Sequence, residues 1–253
     1  AATIAALTGA LAERGMTICD GLLVGDETVS PYDGGPENGP SLPLAATQSS
    51  QINAEFVYRG STIEPTNRIT LPVSTKETET TDAVQNRVRE LRSLNPGDAL
   101  EQASTRWTDM LESTAYPDRE QIISLIADLQ FPTIRDRLMA DIPGIDERME
   151  RILLAQTHSK PQWSRVEWAQ QLLLHAYTHS STKQSAPILT AVAYINWWEG
   201  RGSKAHQFLQ LALEADPSYR LARLSDLMIG SGTVAGWNMD KDTAYRNPGP
   251  GTA

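Results

Sequence analysis

His175 and His179 stand four residues apart in His-Ala-Tyr-Thr-His, so on a helix both imidazoles share one face, where two ring nitrogens could begin a metal site. A zinc centre needs three or four ligands, and neither His158 nor a carboxylate stands at motif spacing to supply the third. The pair is therefore expected to be ordinary solvated or capping histidines, with no metal. Trp197 and Trp198 are adjacent, and neighbours on a helix point about 100° apart, so both rings cannot fill one core position. Packing of both between helices is the favoured outcome, and an aromatic patch for a peptide or small ligand is the alternative. Arg220 and Arg223, one turn apart, could clamp an anion, although Glu214, Asp216 and Asp226 are near enough to be their ion-pair partners. With Tyr32, beside a Gly/Pro loop, these make up the candidate binding residues: Tyr32, Trp197, Trp198, Arg220 and Arg223. No G-x-S-x-G elbow and no Gly-Lys-Ser/Thr phosphate loop is present, so acyl or phosphoryl transfer is not supported. No catalytic residue and no cofactor is expected. The single cysteine, Cys19, sits in an apolar run and reads as a small buried hydrophobe.

Those side chains need elements to hold them. Ile4, Leu7 and Leu11 recur at helical spacing ahead of Gly15, which predicts a helix over about 3–14. Thr17 to Val24 is strand-like, and Val29 to Tyr32 could pair with it across Gly25-Asp26. One helix and two short strands bury too little to stand alone. Residues 1–60 thus read as a partial α/β unit with an exposed sheet edge, its other strands supplied by missing sequence or by another chain. Asp33 to Leu44 is a Gly/Pro loop, and a short helix is predicted over Ser50 to Arg59. Residues 61–80 read as a linker wrapping the surface, before a helix led by Asp82. Residues 81–230 read as an antiparallel helical bundle, interrupted at Asn95-Pro96-Gly97, Tyr116-Pro117-Asp118, Phe131-Pro132, Pro143-Gly144, Lys160-Pro161, Ser180-Ser181 and Gly200-Arg201-Gly202. Residues 231–253, rich in Gly and Pro, form a flexible tail unless Trp237 docks.

Gly200, Ala205, Ala212 and Pro217 fall at the spacings of a tetratricopeptide repeat, in which small residues let paired helices approach and Pro ends the second. Leu189 stands where the repeat has a large aromatic, and no second copy lies 34 residues upstream. One tetratricopeptide-like hairpin within a non-repetitive bundle is the expectation. The run Pro187-Ile188-Leu189-Thr190-Ala191-Val192-Ala193-Tyr194, then Trp197-Trp198-Glu199-Gly200, Ala212-Leu213 and Asp216-Pro217-Ser218-Tyr219-Arg220-Leu221-Ala222, resembles the C-terminal part of an actinobacterial domain-of-unknown-function family, number 4192. Asp20-Gly21-Leu22-Leu23-Val24, Tyr32 and Ala54-Glu55-Phe56-Val57 resemble its middle part. The resemblance implies this fold, a further N-terminal α/β region and a bacterial cytosolic setting, and it implies no known activity. Family members carry a cysteine-bearing segment after the position of Tyr32, where this chain has Asp33-Gly34-Gly35-Pro36.

Composition narrows the classes further. The net charge is −9, with four Lys/Arg against ten Asp/Glu in residues 1–80, and no basic face is evident, which disfavours nucleic acid. No run is long enough for a membrane span and no signal peptide opens the chain, so the expectation is a cytoplasmic protein without membrane partners. The leading expectation is a mainly α, non-enzymatic interaction module. It would present a groove near the tetratricopeptide-like hairpin to a protein or peptide partner, with the C-terminal tail able to lie in that groove. The alternative is a small-molecule or nucleotide-responsive regulatory domain with its site at the strand ends near Asp20, Tyr32 and the Gly/Pro loop.

Overall fold

A computed structural model describes residues 2–15, 22–25, 27–31, 41–48, 69–73, 78–113 and 115–246. The chain is mainly helical, with a small antiparallel sheet near its N-terminus. It divides into two compact units, Ala1–Pro65 with Arg246–Ala253, and Thr66–Tyr245.

In the first unit, helix α1 (Ala2–Ala12) ends before Gly15, whose φ of 72° suits a residue without Cβ. Strands β1 (Leu22–Val24), β2 (Thr28–Pro31) and β3 (Leu42–Pro43) follow in the order β1-β2-β3, with Leu23 opposite Ser30 and Val29 opposite Leu42. The third strand lies within the stretch 33–44 that the sequence suggested as loop, because Leu44 N–H bonds Glu27 O and draws the segment alongside β2, and the short helix α2 (Leu44–Gln48) follows it. Strands this short shield little, and Leu22, Leu23 and Val24 are all more than half exposed on the sheet edge. The helix expected over 50–59, together with Cys19, Asp20, Tyr32 and the loop 33–36, lies outside the described residues.

The second unit holds the core. Helices α3 (Thr78–Ser93), α4 (Pro96–Glu112), α5 (Arg119–Asp128), α6 (Pro132–Asp141), the short α7 (Met149–Leu153), α8 (Trp163–Thr178), α9 (Thr182–Trp198), α10 (Gly202–Ala215) and α11 (Arg220–Gly230) break where the sequence supplies caps and prolines. Asn95 Oδ1 accepts from Gly97 N at 2.8 Å ahead of Pro96, and Asp118 and Gln121 close a reciprocal capping box at 2.9 Å each way. Helix α3 begins at Thr78, ahead of the expected Asp82, and carries Glu79 in its first turn, where the helix dipole favours an acid.

Ile122, Leu125, Ile126 and Leu129 put four apolar side chains on the buried face around α5, and α9 is buried almost all round. Helix α3 packs on α5 and α4 on α6, while α8, α9, α10 and α11 pack successively, the α9–α10 pair most extensively. Ala205 and Ala212 are fully buried in that last stack, which lets the helices approach closely.

All six tryptophans donate their indole N–H. Trp107 bonds Leu138 O, Trp163 bonds Thr243 O, Trp168 bonds Met110 O, Trp197 bonds Thr233 O, Trp198 bonds Leu153 O and Trp237 bonds Thr157 Oγ1. These rings therefore enter the core without an unsatisfied donor.

Candidate functional site

A surface groove lies between α9 and α10, and beside Leu71, which forms one of its walls, a space of about 180 Å³ remains open. Helical periodicity builds its walls. Thr182, Ser185 and Leu189 recur at three and four along α9, and Leu211 and Glu214 stand three apart along α10, so each set lies on one face. Tyr177 and Ser180, at the end of α8, close one end. Ser185 Oγ donates to Thr182 O at 2.6 Å and Ser180 Oγ to Tyr177 O at 2.9 Å, so both hydroxyls serve their own helices. What remains is an apolar surface with an acid, Glu214, at its rim.

Residues 69–73 lie on this surface. Ile69 and Leu71 turn inward against the core, and Thr70, Pro72 and Val73 turn outward, Val73 with 87% exposure. The alternation over 69–72 is the period of an extended chain, and Val73 departs from it. Ile69 N–H donates to Gln207 Oε1 at 3.1 Å, and Leu71 lines the groove beside Leu189 and Leu211. The spacing matches, because two residues of extended chain advance about 6–7 Å and one turn of α10, from Gln207 to Leu211, about 6 Å.

The sequence placed this stretch in a linker. Its signal was Ile69-Thr70-Leu71, apolar residues two apart ahead of a proline, too short to stand out from the polar residues around it. Gln207, Leu211 and Glu214 carry no motif and become recognisable only once α9 lies beside them.

The residues singled out from the sequence do not converge here. Tyr32 lies outside the described residues. Trp197 and Trp198 are both buried, so the alternative of a solvent-facing aromatic patch is corrected. Tyr194 meets both rings edge-on at 6.0 Å, and Trp237 packs on Trp198 at 5.6 Å. Arg220 and Arg223 are exposed on α11, Arg223 reaching Ser218 O at 3.5 Å. His175 and His179 stack edge-on at 5.0 Å, and burial, helped by the neighbouring imidazole, lowers the His175 pKa. No cluster of three or more potential metal ligands occurs among the described residues.

The tail expected to be flexible unless Trp237 docked is folded through residue 245, because Trp237 does dock. The 3-10 turn Gly236–Met239 seats its ring fully buried, and Asn238 Nδ2 donates to Trp198 O at 3.0 Å. Tyr245 Oη donates to Glu167 at 2.6 Å, beneath Arg201 at 5.1 Å from its ring. Arg201 also contacts buried Glu199 at 3.0 Å, without an aligned hydrogen bond to Glu199 Oε2. Burial pushes the Glu199 carboxyl up to about 7, Arg201 pulling it down and Glu167 adding to the rise. Burial and the bond to Glu167 likewise raise the Tyr245 phenol.

The family model described as domain of unknown function (DUF4192) matches residues 1–233. The chain belongs to the DUF4192 family. No curated protein and no solved structure matches it. The resemblance read from Asp20–Val24, Tyr32, Ala54–Val57 and Pro187–Ala222 is borne out across nearly the whole chain, and the groove lies inside the DUF4192 match while the Trp237 turn lies just beyond it. No helix among the described residues is long and apolar enough to cross a membrane.

Proposed function

We propose that the helical unit is a protein-interaction module. Its groove between α9 and α10 receives a short extended segment with apolar side chains two residues apart, and residues 69–73 hold that groove in cis. The observation that carries this reading is the docked pair Ile69 and Leu71, with one backbone N–H satisfied by Gln207. Helical grooves of this kind recognise a peptide by apolar anchors and fix its register by a few backbone hydrogen bonds. The groove brings together apolar walls and a side-chain amide, which suit holding a chain.

A labelled peptide of residues 66–77, added in trans, tests it by fluorescence anisotropy. The peptide should bind an Ile69→Asp/Leu71→Asp variant at least about tenfold more tightly than the wild-type chain, whose own segment competes at millimolar effective concentration. A peptide carrying the same two aspartates should bind neither protein. Leu211→Arg, which changes the wall and leaves the segment intact, should abolish binding in the variant background. Equal binding to both proteins, or binding to neither while circular dichroism shows both folded, would sink the proposal.

A further inference from the structure

A second cleft, of about 480 Å³, opens between the C-terminal half of α3 and the first turn of α9, and three cations line it: Arg89, Arg92 and Lys183. Arg89 and Arg92 are one turn apart on α3, and Lys183 comes from α9 across the cleft. No carboxylate lines it.

Several other arginines of the same unit are matched by acids. Arg87 meets Glu90 at 3.1 Å, Arg106 meets Asp128 at 2.8 Å, Arg137 meets Asp141 at 3.0 Å and Arg151 meets Glu147 at 3.0 Å. Arg89, Arg92 and Lys183 have no carboxylate within ion-pair distance among the described residues, and the Arg89 guanidinium turns to the neutral Asn86 Oδ1. All three side chains are exposed, and together they concentrate positive charge at one place on a chain of net charge −9.

The cleft is preorganised. Gln184 Oε1 accepts from Ser181 N at 3.0 Å and from Ser181 Oγ at 2.8 Å, and Gln130 Nε2 donates to Gln184 O at 3.2 Å, which fixes the first turn of α9. The 17-residue helix adds the positive end of its dipole to the side-chain charges.

We propose that this cleft binds a small polyanion carrying linked phosphate groups. Guanidinium forks match phosphate oxygens two at a time, and the lysine supplies a third point charge. The volume is that of a small-molecule pocket. A nucleic acid would need a longer basic track than three residues on an acidic chain provide. The site is independent of the peptide groove, although the turn Ser180–Gln184 borders both: Ser180 and Thr182 face the groove, and Ser181, Lys183 and Gln184 face the cleft.

Titration calorimetry on the full chain, at constant ionic strength, decides the matter with sodium tripolyphosphate, ATP and adenosine as probes. Tripolyphosphate should bind saturably at one site, and adenosine should give no heat. Lys183→Gln alone should weaken binding about tenfold, and Arg89→Gln/Arg92→Gln/Lys183→Gln should remove it. The double variant Arg137→Gln/Arg148→Gln, which removes charge from two exposed side chains that do not line the cleft, should bind as the wild type does. Equal affinity for ATP and tripolyphosphate identifies a bare phosphate site, and tighter ATP binding adds a base contact to it. Absence of saturable tripolyphosphate binding, or binding retained in a folded triple variant, overturns the proposal.

Discussion

Two segments outside the α-helices lie on the helical unit, residues 69–73 and residues 235–245, and they are held in opposite ways. The first offers two half-buried side chains and one hydrogen bond, Ile69 N to Gln207 Oε1. The second buries Ala235 and Trp237 completely and ties itself down through Trp237 to Thr157, Trp163 to Thr243 O, Asn238 to Trp198 O and Tyr245 to Glu167. Half-burying an aliphatic side chain contributes roughly 1 kcal/mol, most of which the ordering of its segment takes back. A fully buried tryptophan with a satisfied indole contributes several times that. The later segment is thus part of the fold, and the earlier one is held by far fewer contacts, as the proposed releasable occupant of the groove requires.

The contrast can be broken first at its strong end. Trp237→Ala removes a fully buried ring packed on Trp163 and Trp198 and should cost about 3–5 kcal/mol in urea unfolding. Next comes Glu199, beside the same segment. Its native state favours the neutral acid, so its contribution is complete below the ordinary value of 4.5 and is lost as the pH rises through about 7, a difference on the order of 3 kcal/mol. The melting midpoint should therefore fall between pH 5.5 and 8.5 in the wild type and change much less in Glu199→Gln.

Gly236→Ala would place a Cβ 2.2 Å from Ala155 O, a backbone atom, and should destabilise by about 1–3 kcal/mol. At the weak end, Leu71→Ala should lower global stability by under about 1 kcal/mol while freeing the groove for the peptide in trans. A loss for Leu71→Ala as large as that for Trp237→Ala would erase the distinction.

Much of this architecture was legible from local signals. The helix breaks at Asn95-Pro96, Asp118 and Pro132 were readable because caps and prolines act on their own neighbours, and the periodic run Ile122 to Leu129 declared its buried face. What escaped depends on tertiary placement. The seat of Trp237 is made by Thr157, Trp163 and Trp198, residues far from it in sequence, and nothing in its Gly-rich surroundings announces it. Ile69 and Leu71 looked like linker because their partners, Gln207 and Leu211, lie well over a hundred residues away. The paired tryptophans attracted a binding role through their chemistry, yet the backbone carbonyls of Thr233 and Leu153 satisfy both indoles in the interior.

Native-state hydrogen exchange at the Ile69 amide tests the central claim most directly. If residues 69–73 are a releasable occupant of the groove, this amide should exchange more slowly than that of Val73. It should also exchange well before that of buried Ile126 in α5, whose exposure requires global unfolding. Exchange of Ile69 as fast as Val73 would show that the segment is not held, and exchange as slow as Ile126 would show that it is a fixed part of the fold; either result contradicts the account.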